Sequence, residues 1–192
     1  NVFGHFAPKL PNSYRDTPYV FLANINPELQ LEVLKQVRQS KLVVCDTMNL
    51  WIDISKPALM ETLKQVDILI INDSEAKQLT QESNLIRAGR QILTYGPSRV
   101  IIKKGEHGAL SLTESEFFAL PAYPLASVSD PTGAGDSFAG AFMGHLASTD
   151  QPDNEEAIRQ AIGYGTIVAS FNVGDFSLNR LRNLTIFEIE ER

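Results

Sequence analysis

The sequence predicts an α/β fold with a mainly parallel sheet and helices on both faces, and three observations predict it. Short β-prone runs alternate with helical stretches, the pattern of βαβ units. Polar residues gather at the carboxyl ends of three of those runs: Asp46 and Asn49, Asn72 and Glu75, Lys103 and Lys104. Sheets of this kind bind ligands at those ends. Late in the chain, the glycine-rich stretch 130–136 opens a run in which Phe138, Ala141, Phe142, His145 and Leu146 share one face of a 3.6-residue wheel. No internal repeat, low-complexity tract or long linker interrupts the chain, so residues 1–192 read as one domain.

Residues 1–18 are rich in proline and polar groups and read as irregular. Tyr19 to Ala23 is a short strand. Asn26-Pro27-Glu28 starts a helix, with a capping Asn, a proline in the first turn and an acid beside it. Its apolar stripe is Leu29, Val33, Leu34 and Val37. Leu42 to Cys45 is a second strand ending at Asp46, and Ser55 caps a helix through Leu63. Val66 to Ile71 is a third strand ending at Asn72, followed by short helices over Ser74 to Thr80 and Asn84 to Tyr95. Arg99 to Lys103 is a fourth strand. Gly105 and Gly108 mark a tight turn before Ala109 to Leu112 returns antiparallel, and Glu116 to Leu120 is one more strand. The late helix begins near Gly135. Asn154 or Asp153 caps a helix to about Ser170, and Thr185-x-x-Glu188 is a capping box for a last short one.

With 192 residues, 43% of them apolar and 21% charged, the chain has ordinary globular composition and length enough for a sizeable core. A net charge of −6 argues against a nucleic-acid or anionic-membrane surface. Cys45 is the only cysteine, so no intrachain disulfide forms, and a reducing cytoplasm fits. No apolar run approaches the roughly 20 residues of a membrane span. The first residue is Asn1 rather than Met, which reads as processing or as part of something longer.

The chemistry concentrates in Asp130-Pro131-Thr132-Gly133-Ala134-Gly135-Asp136-Ser137. A helix start carries free N–H groups and partial positive charge, and glycines let an anion approach the backbone. Asp136 in the first turn would repel a phosphate that was merely bound. It makes sense as a base that deprotonates an attacking hydroxyl while the amides hold the phosphoryl charge. The plain alternative is a glycine-rich connection with Asp136 as a helix cap.

The string resembles the C-terminal signature of the PfkB, or ribokinase-like, carbohydrate kinase family, which usually reads D-T-x-G-A-G-D. The resemblance covers most of the chain from about Tyr19. It implies a three-layer α/β/α ribokinase-like fold, here N-terminally truncated, and ATP-dependent phosphoryl transfer to a sugar or nucleoside hydroxyl. On it, Asp136 is the catalytic base and Gly133, Ala134 and Gly135 form the anion hole. Asn72-Asp73-Ser74-Glu75 resembles the family's N-x-x-E motif, implying that Asn72 and Glu75 place Mg²⁺ and phosphate, through water. Helix capping by Asp73 or Ser74 is the alternative there. Lys103, Gly105 and Gly108 match a family strand end and turn lining the ATP site; Lys104 departs by its charge, and an exposed basic hairpin is the alternative. His107 reads as a turn residue.

Asp46-Thr47-Met48-Asn49-Leu50-Trp51 resembles the family's D-x-N-x-x-x-W region, with the Trp early, which offers Asp46 and Asn49 to phosphate or the acceptor. Strand-end capping, with Trp51 as a packing residue, is the alternative. Family members also hold a monovalent cation, K⁺, which carried over involves Asp130, the Thr132 carbonyl and carbonyls after Ser170. Here the latter segment reads Phe171-Asn172-Val173-Gly174 and departs from the common pattern.

The family's N-terminal portion, with its sugar-binding glycines and β lid, has no counterpart before Tyr19. This predicts weak or no sugar kinase activity for the chain alone, and an uncovered sheet edge favouring a homodimer or other self-association. A nucleotide-binding regulatory module without turnover is the competing function. No G-x-G-x-x-G follows the first strand, against a dinucleotide enzyme, and no Gly-Lys-Ser/Thr follows the glycines, against a Walker-type NTPase.

Overall fold

The computed structural model describes residues 6–192. Residues 1–5 of the segment expected to be irregular lie outside them; from residue 6 to β1 the only regular structure is a single 3₁₀ turn, Asn12–Tyr14. Six strands form one sheet in sequence order: β1 (Tyr19–Leu22), β2 (Leu42–Asp46), β3 (Ile68–Asn72), β4 (Arg99–Lys103), β5 (Ala109–Leu112) and β6 (Phe117–Leu120). β1, β2 and β3 are parallel, with Leu22 opposite Cys45 and Asp46 opposite Ile70. Eight helices occur among the described residues: α1 (Pro27–Leu34), α2 (Asn49–Ile54), α3 (Lys56–Leu63), α4 (Asp73–Thr80), α5 (Leu85–Leu93), α6 (Ala134–Thr149), α7 (Glu155–Asn172) and α8 (Ile186–Glu190).

The chain divides into two compact units, Asn1–Ile102 with Leu112–Glu116, and Lys103–Ser111 with Phe117–Arg192. In the first, β2 and β3 are apolar up to their last residues, Asp46 and Asn72, and those apolar runs are buried, as strands covered on both faces must be. Leu59, Leu63, Leu79 and Ile92 complete that core. Gly89 on α5 admits Leu112, whose Cδ1 would lie 3.0 Å from a Cβ added there.

The second unit is built on α6 against α7. Phe138, Phe142 and Leu146 of α6 and Ala161 and Ile162 of α7 form its buried centre. The helices touch most closely where Gly165 faces Phe138: an added Cβ would sit 2.9 Å from the ring and 2.9 Å from the Phe138 carbonyl oxygen. His145 stacks on Tyr164 with centroids 4.5 Å apart. Gly108 has φ +82°, and a Cβ there would fall 2.0 Å from the Leu120 carbonyl oxygen, so only glycine fits where the chain passes the end of β6.

Several expectations about elements need correcting. The expected stripe of α1 is only half-buried, and Val37 lies beyond the helix; the buried members are Pro27 and Gln30. Gln30 is inside because its Nε2 donates to the carbonyls of Leu22, Ala23 and Asp46 at 3.3, 3.0 and 3.1 Å, tying together the ends of β1 and β2. α2 was not expected at all, since its six residues are too few to show a helical period. Ser55 makes no side-chain cap to α3. The turn after β4 is a 3₁₀ turn, Gly105–His107. The cap foreseen at Asn26 is present, Asn154 rather than Asp153 caps α7, the Thr185–Glu188 capping box forms, and Asn84, read as the first residue of its helix, is the cap of α5.

Candidate active site

Each unit assembles one group of the residues singled out above. In the second, Gly133 takes φ +82°, ψ 0° and caps α6, a left-handed conformation that glycine adopts without strain. The Ala134 N–H donates to the Pro131 carbonyl at 3.2 Å, so of the expected anion hole that amide is engaged. The N–H groups of Gly135 and Asp136 have no acceptor among the described residues. Asp136 is exposed in the first turn, not turned into the core.

Lys103, at the end of β4, reaches this turn: its Nζ would lie 3.0 Å from a Cβ on Gly135. An ammonium thus lies beside Gly135, and the missing side chain there is what admits it. Gly105 (φ +56°) has nothing within 4 Å of an added Cβ and stands open to solvent. Gly108, by contrast, is explained by its contact with the end of β6.

Behind the turn lie residues the sequence reading did not assign. Ser137 Oγ donates to Asn172 Oδ1 at 2.8 Å, and Asn172 Nδ2 donates to the Ser177 carbonyl at 3.1 Å. Asp130 folds back on its own turn, Oδ1 accepting from the Thr132 N–H at 2.9 Å. Bonds from the Thr132 N–H, the Thr132 hydroxyl and the Ser177 N–H hold its carboxyl below the usual aspartate range. The signal for Asn172 was a polar residue closing the mostly apolar last stretch of its helix, residues 167–171.

In the first unit, Asn72 and Glu75 bind each other. Asn72 Oδ1 accepts from the Glu75 N–H at 2.8 Å, and Glu75 Oε2 accepts from the Asn72 N–H at 2.9 Å. This reciprocal capping box starts α4, so the cap is Asn72 and not Asp73 or Ser74. Asn72 wins because it is the extended residue at the strand end, whereas Asp73 and Ser74 are already helical. Glu75 is only 7% exposed.

On the neighbouring strand, Asp46 is 5% exposed and its Oδ1 accepts from the Thr47 N–H at 2.8 Å, a strand-end cap. Asn49 is exposed as the first residue of α2. Trp51 Nε1 donates to Asn24 Oδ1 at 2.9 Å, which pins α2 to the loop after β1. Among the described residues no three His, Cys, Asp or Glu side chains cluster as a metal site.

Fold and turn together define a class: a mainly parallel α/β protein with open amides and an adjacent exposed carboxylate at the head of a late helix. The family model for pfkB family carbohydrate kinases matches residues 13–181, and the chain belongs to that family. It is 33% identical over 138 residues to the cytidine kinase of Thermococcus kodakarensis, covering 70% of this chain and 49% of that protein. It is 27% identical over 139 residues to the nucleoside kinase of Methanocaldococcus jannaschii, covering 72% and 45%. The crystal structure of a putative ribokinase II from E. coli in complex with ATP and Mg²⁺ matches with a TM-score of 0.74 and 23% identity, over 94% of this chain and 59% of that one. That likeness shows the ribokinase fold. The chain spans about half the length of the two kinases it resembles in sequence.

Proposed function

We propose that this chain is the nucleotide-binding and phosphoryl-transfer core of an ATP-dependent kinase acting on a hydroxyl of a sugar or nucleoside. The observation that carries the reading is the turn at Gly133–Asp136: two open amides at a helix start, the Lys103 ammonium beside Gly135, and an exposed carboxylate in the same turn. Amides and ammonium suit the transferring phosphoryl group, and Asp136 suits the proton of the attacking hydroxyl. Donors of this kind are worth about 10²–10³ in rate each. Lys103, Gly105 and Gly108 form the nucleotide side, with Gly108 shaping the turn rather than touching ligand. Asp46 is held as a strand cap, which leaves the exposed Asn49 as the better contact for the acceptor.

Mg²⁺ takes oxygen ligands and keeps several waters. Asn72 and Glu75 supply an amide oxygen and a carboxylate, the donor types a hydrated ion takes; Asn72 Oδ1 already accepts from the Ser74 hydroxyl and the Glu75 N–H at 2.7 and 2.8 Å, so its contact would run through water. When bound, the ion would neutralise phosphate charge. The 1–192 chain working as one core, a reducing cytoplasmic setting, and self-association through the edge strand β1 belong to the same reading.

Calorimetry with ADP·Mg²⁺, run beside a coupled ADP-release assay over sugars and nucleosides, tests it. Binding with acceptor-dependent turnover supports the kinase. Binding without turnover on any acceptor supports a regulatory nucleotide module, and no binding rejects both.

A further inference from the structure

Asn172 ends α7 and is 1% exposed. A buried amide must find partners for both its ends. Asn172 finds them in the signature turn and in the segment that follows α7: Oδ1 accepts from Ser137 Oγ at 2.8 Å, and Nδ2 donates to the Ser177 carbonyl at 3.1 Å. The same oxygen lies against Gly133, 3.2 Å from where a Cβ would be. One side chain therefore touches the residue that caps α6 and a residue of its first turn.

The resemblance implies a K⁺ ion bound by Asp130 and by carbonyls of this region. Of the oxygens it would use, the Asp130 carboxylate and the Val173 and Gly174 carbonyls already accept from protein donors. Asp130 Oδ1 and Oδ2 accept from the Thr132 and Ser177 N–H groups at 2.9 and 3.4 Å. The Val173 carbonyl accepts from both the Ser129 and Asp130 N–H groups, at 2.8 and 3.3 Å. The Gly174 carbonyl accepts from Ser129 Oγ at 3.1 Å. Hard cations need oxygens with lone pairs to offer. These oxygens are turned to protein donors, and the N–H groups facing Asp130 carry the partial positive charge a cation would supply.

We propose that Asn172, rather than a bound alkali cation, holds the signature turn in its binding geometry. Asn172 is a positioning residue, acting on the anion site through Ser137 and Gly133. The inference deepens the kinase reading, because the turn it holds is the one assigned to the phosphoryl group. It does not need turnover to be tested.

Hydrogen exchange across residues 133–137 is measured on the 192-residue chain in KCl and in tetramethylammonium chloride at equal ionic strength. The variants are Asn172→Ala, Asn172→Asp and Ser137→Ala, with ADP affinity measured alongside. The expected result is equal exchange of the wild type in both salts. Exchange of the bonded amides of the turn, Ala134 and Ser137, should rise about tenfold in Asn172→Ala and Ser137→Ala, the ratio given by ~1.4 kcal/mol of lost hydrogen bonding. Asn172→Asp, which keeps the acceptor for Ser137, should restore slow exchange, and exchange in the middle of α7 should not change in any variant. K⁺-dependent slowing in the wild type, or wild-type exchange in Asn172→Ala, overturns the proposal. If Asn172→Ala does not fold, Ser137→Ala decides it by the same criterion. Absence of ADP binding with the expected exchange pattern rejects the nucleotide reading and leaves Asn172 as the device that holds the turn.

Discussion

Asp136 and Gly135 do different work in one helical turn, and substitutions separate them. Asp136→Asn leaves the helix start intact and removes the proposed proton acceptor. In the active enzyme it should cost about 10²–10⁴ in kcat with little change in ADP affinity, measured by steady-state kinetics and calorimetry. Gly135→Ala places a methyl 3.0 Å from the Lys103 ammonium, the far end of a flexible chain that can swing away. The fold should survive and ADP binding should weaken about tenfold, or ~1.4 kcal/mol. Gly108→Ala has no such escape, because backbone lies 2.0 Å from the new atom and φ is +82°. It should lower stability by about 2 kcal/mol or more, read from urea denaturation. The Gly-Ala-Gly-Asp string announced this turn in the sequence because backbone chemistry at a helix start is local. Asn172 was not legible as its partner, because their meeting depends on how α7 packs on α6, 35 residues apart in the chain.

At the scale of elements, α4 and α8 both begin with a capping box, and each allows a test. Gln can replace Glu in such a box. Glu75→Gln should therefore keep α4 and leave thermal stability nearly unchanged, while the Mg²⁺ dependence of ADP binding weakens several-fold. Unchanged Mg²⁺ dependence would leave Glu75 as a cap alone. In α8, the Thr185 N–H and then the Arg180 guanidinium hold the Glu188 carboxyl down to about 2, from an ordinary 4.5. A carboxylate held low stabilises only while ionised. Its contribution is full above about 4.5 and drains as pH falls towards 2. The gap in urea midpoint between wild type and Glu188→Gln should accordingly close over that range.

Strand positions β4 and β5 were read from sequence to the residue, since short apolar runs bounded by Gly, Pro or charge leave little choice. The buried face of α1 was misread for the opposite reason. Gln30 is polar, and only the carbonyls that end β1 and β2 explain why it is inside.

For the whole molecule, the βα alternation made the fold class plain, while its division into two compact units left no mark in composition. Among the described residues β1 ends the strand order, with β2 its one neighbour in the sheet, and Val20 and Leu22 are its buried residues. An edge with open backbone donors and acceptors invites pairing. Sedimentation velocity should show concentration-dependent self-association, and a Phe21→Pro substitution, at a position whose N–H points away from β2, should reduce it several-fold.

Gly165 gives this protein a vulnerability remote from its chemistry. Any side chain there must wedge between α7 and Phe138, two positions beyond Asp136, and the helix it displaces carries the carboxylate with it. Drift at residue 165 could therefore silence the protein while every ligand-contacting residue stayed intact. A smaller residue at position 138 should restore only part of the fit, because the carbonyl oxygen there still lies 2.9 Å from the new atom.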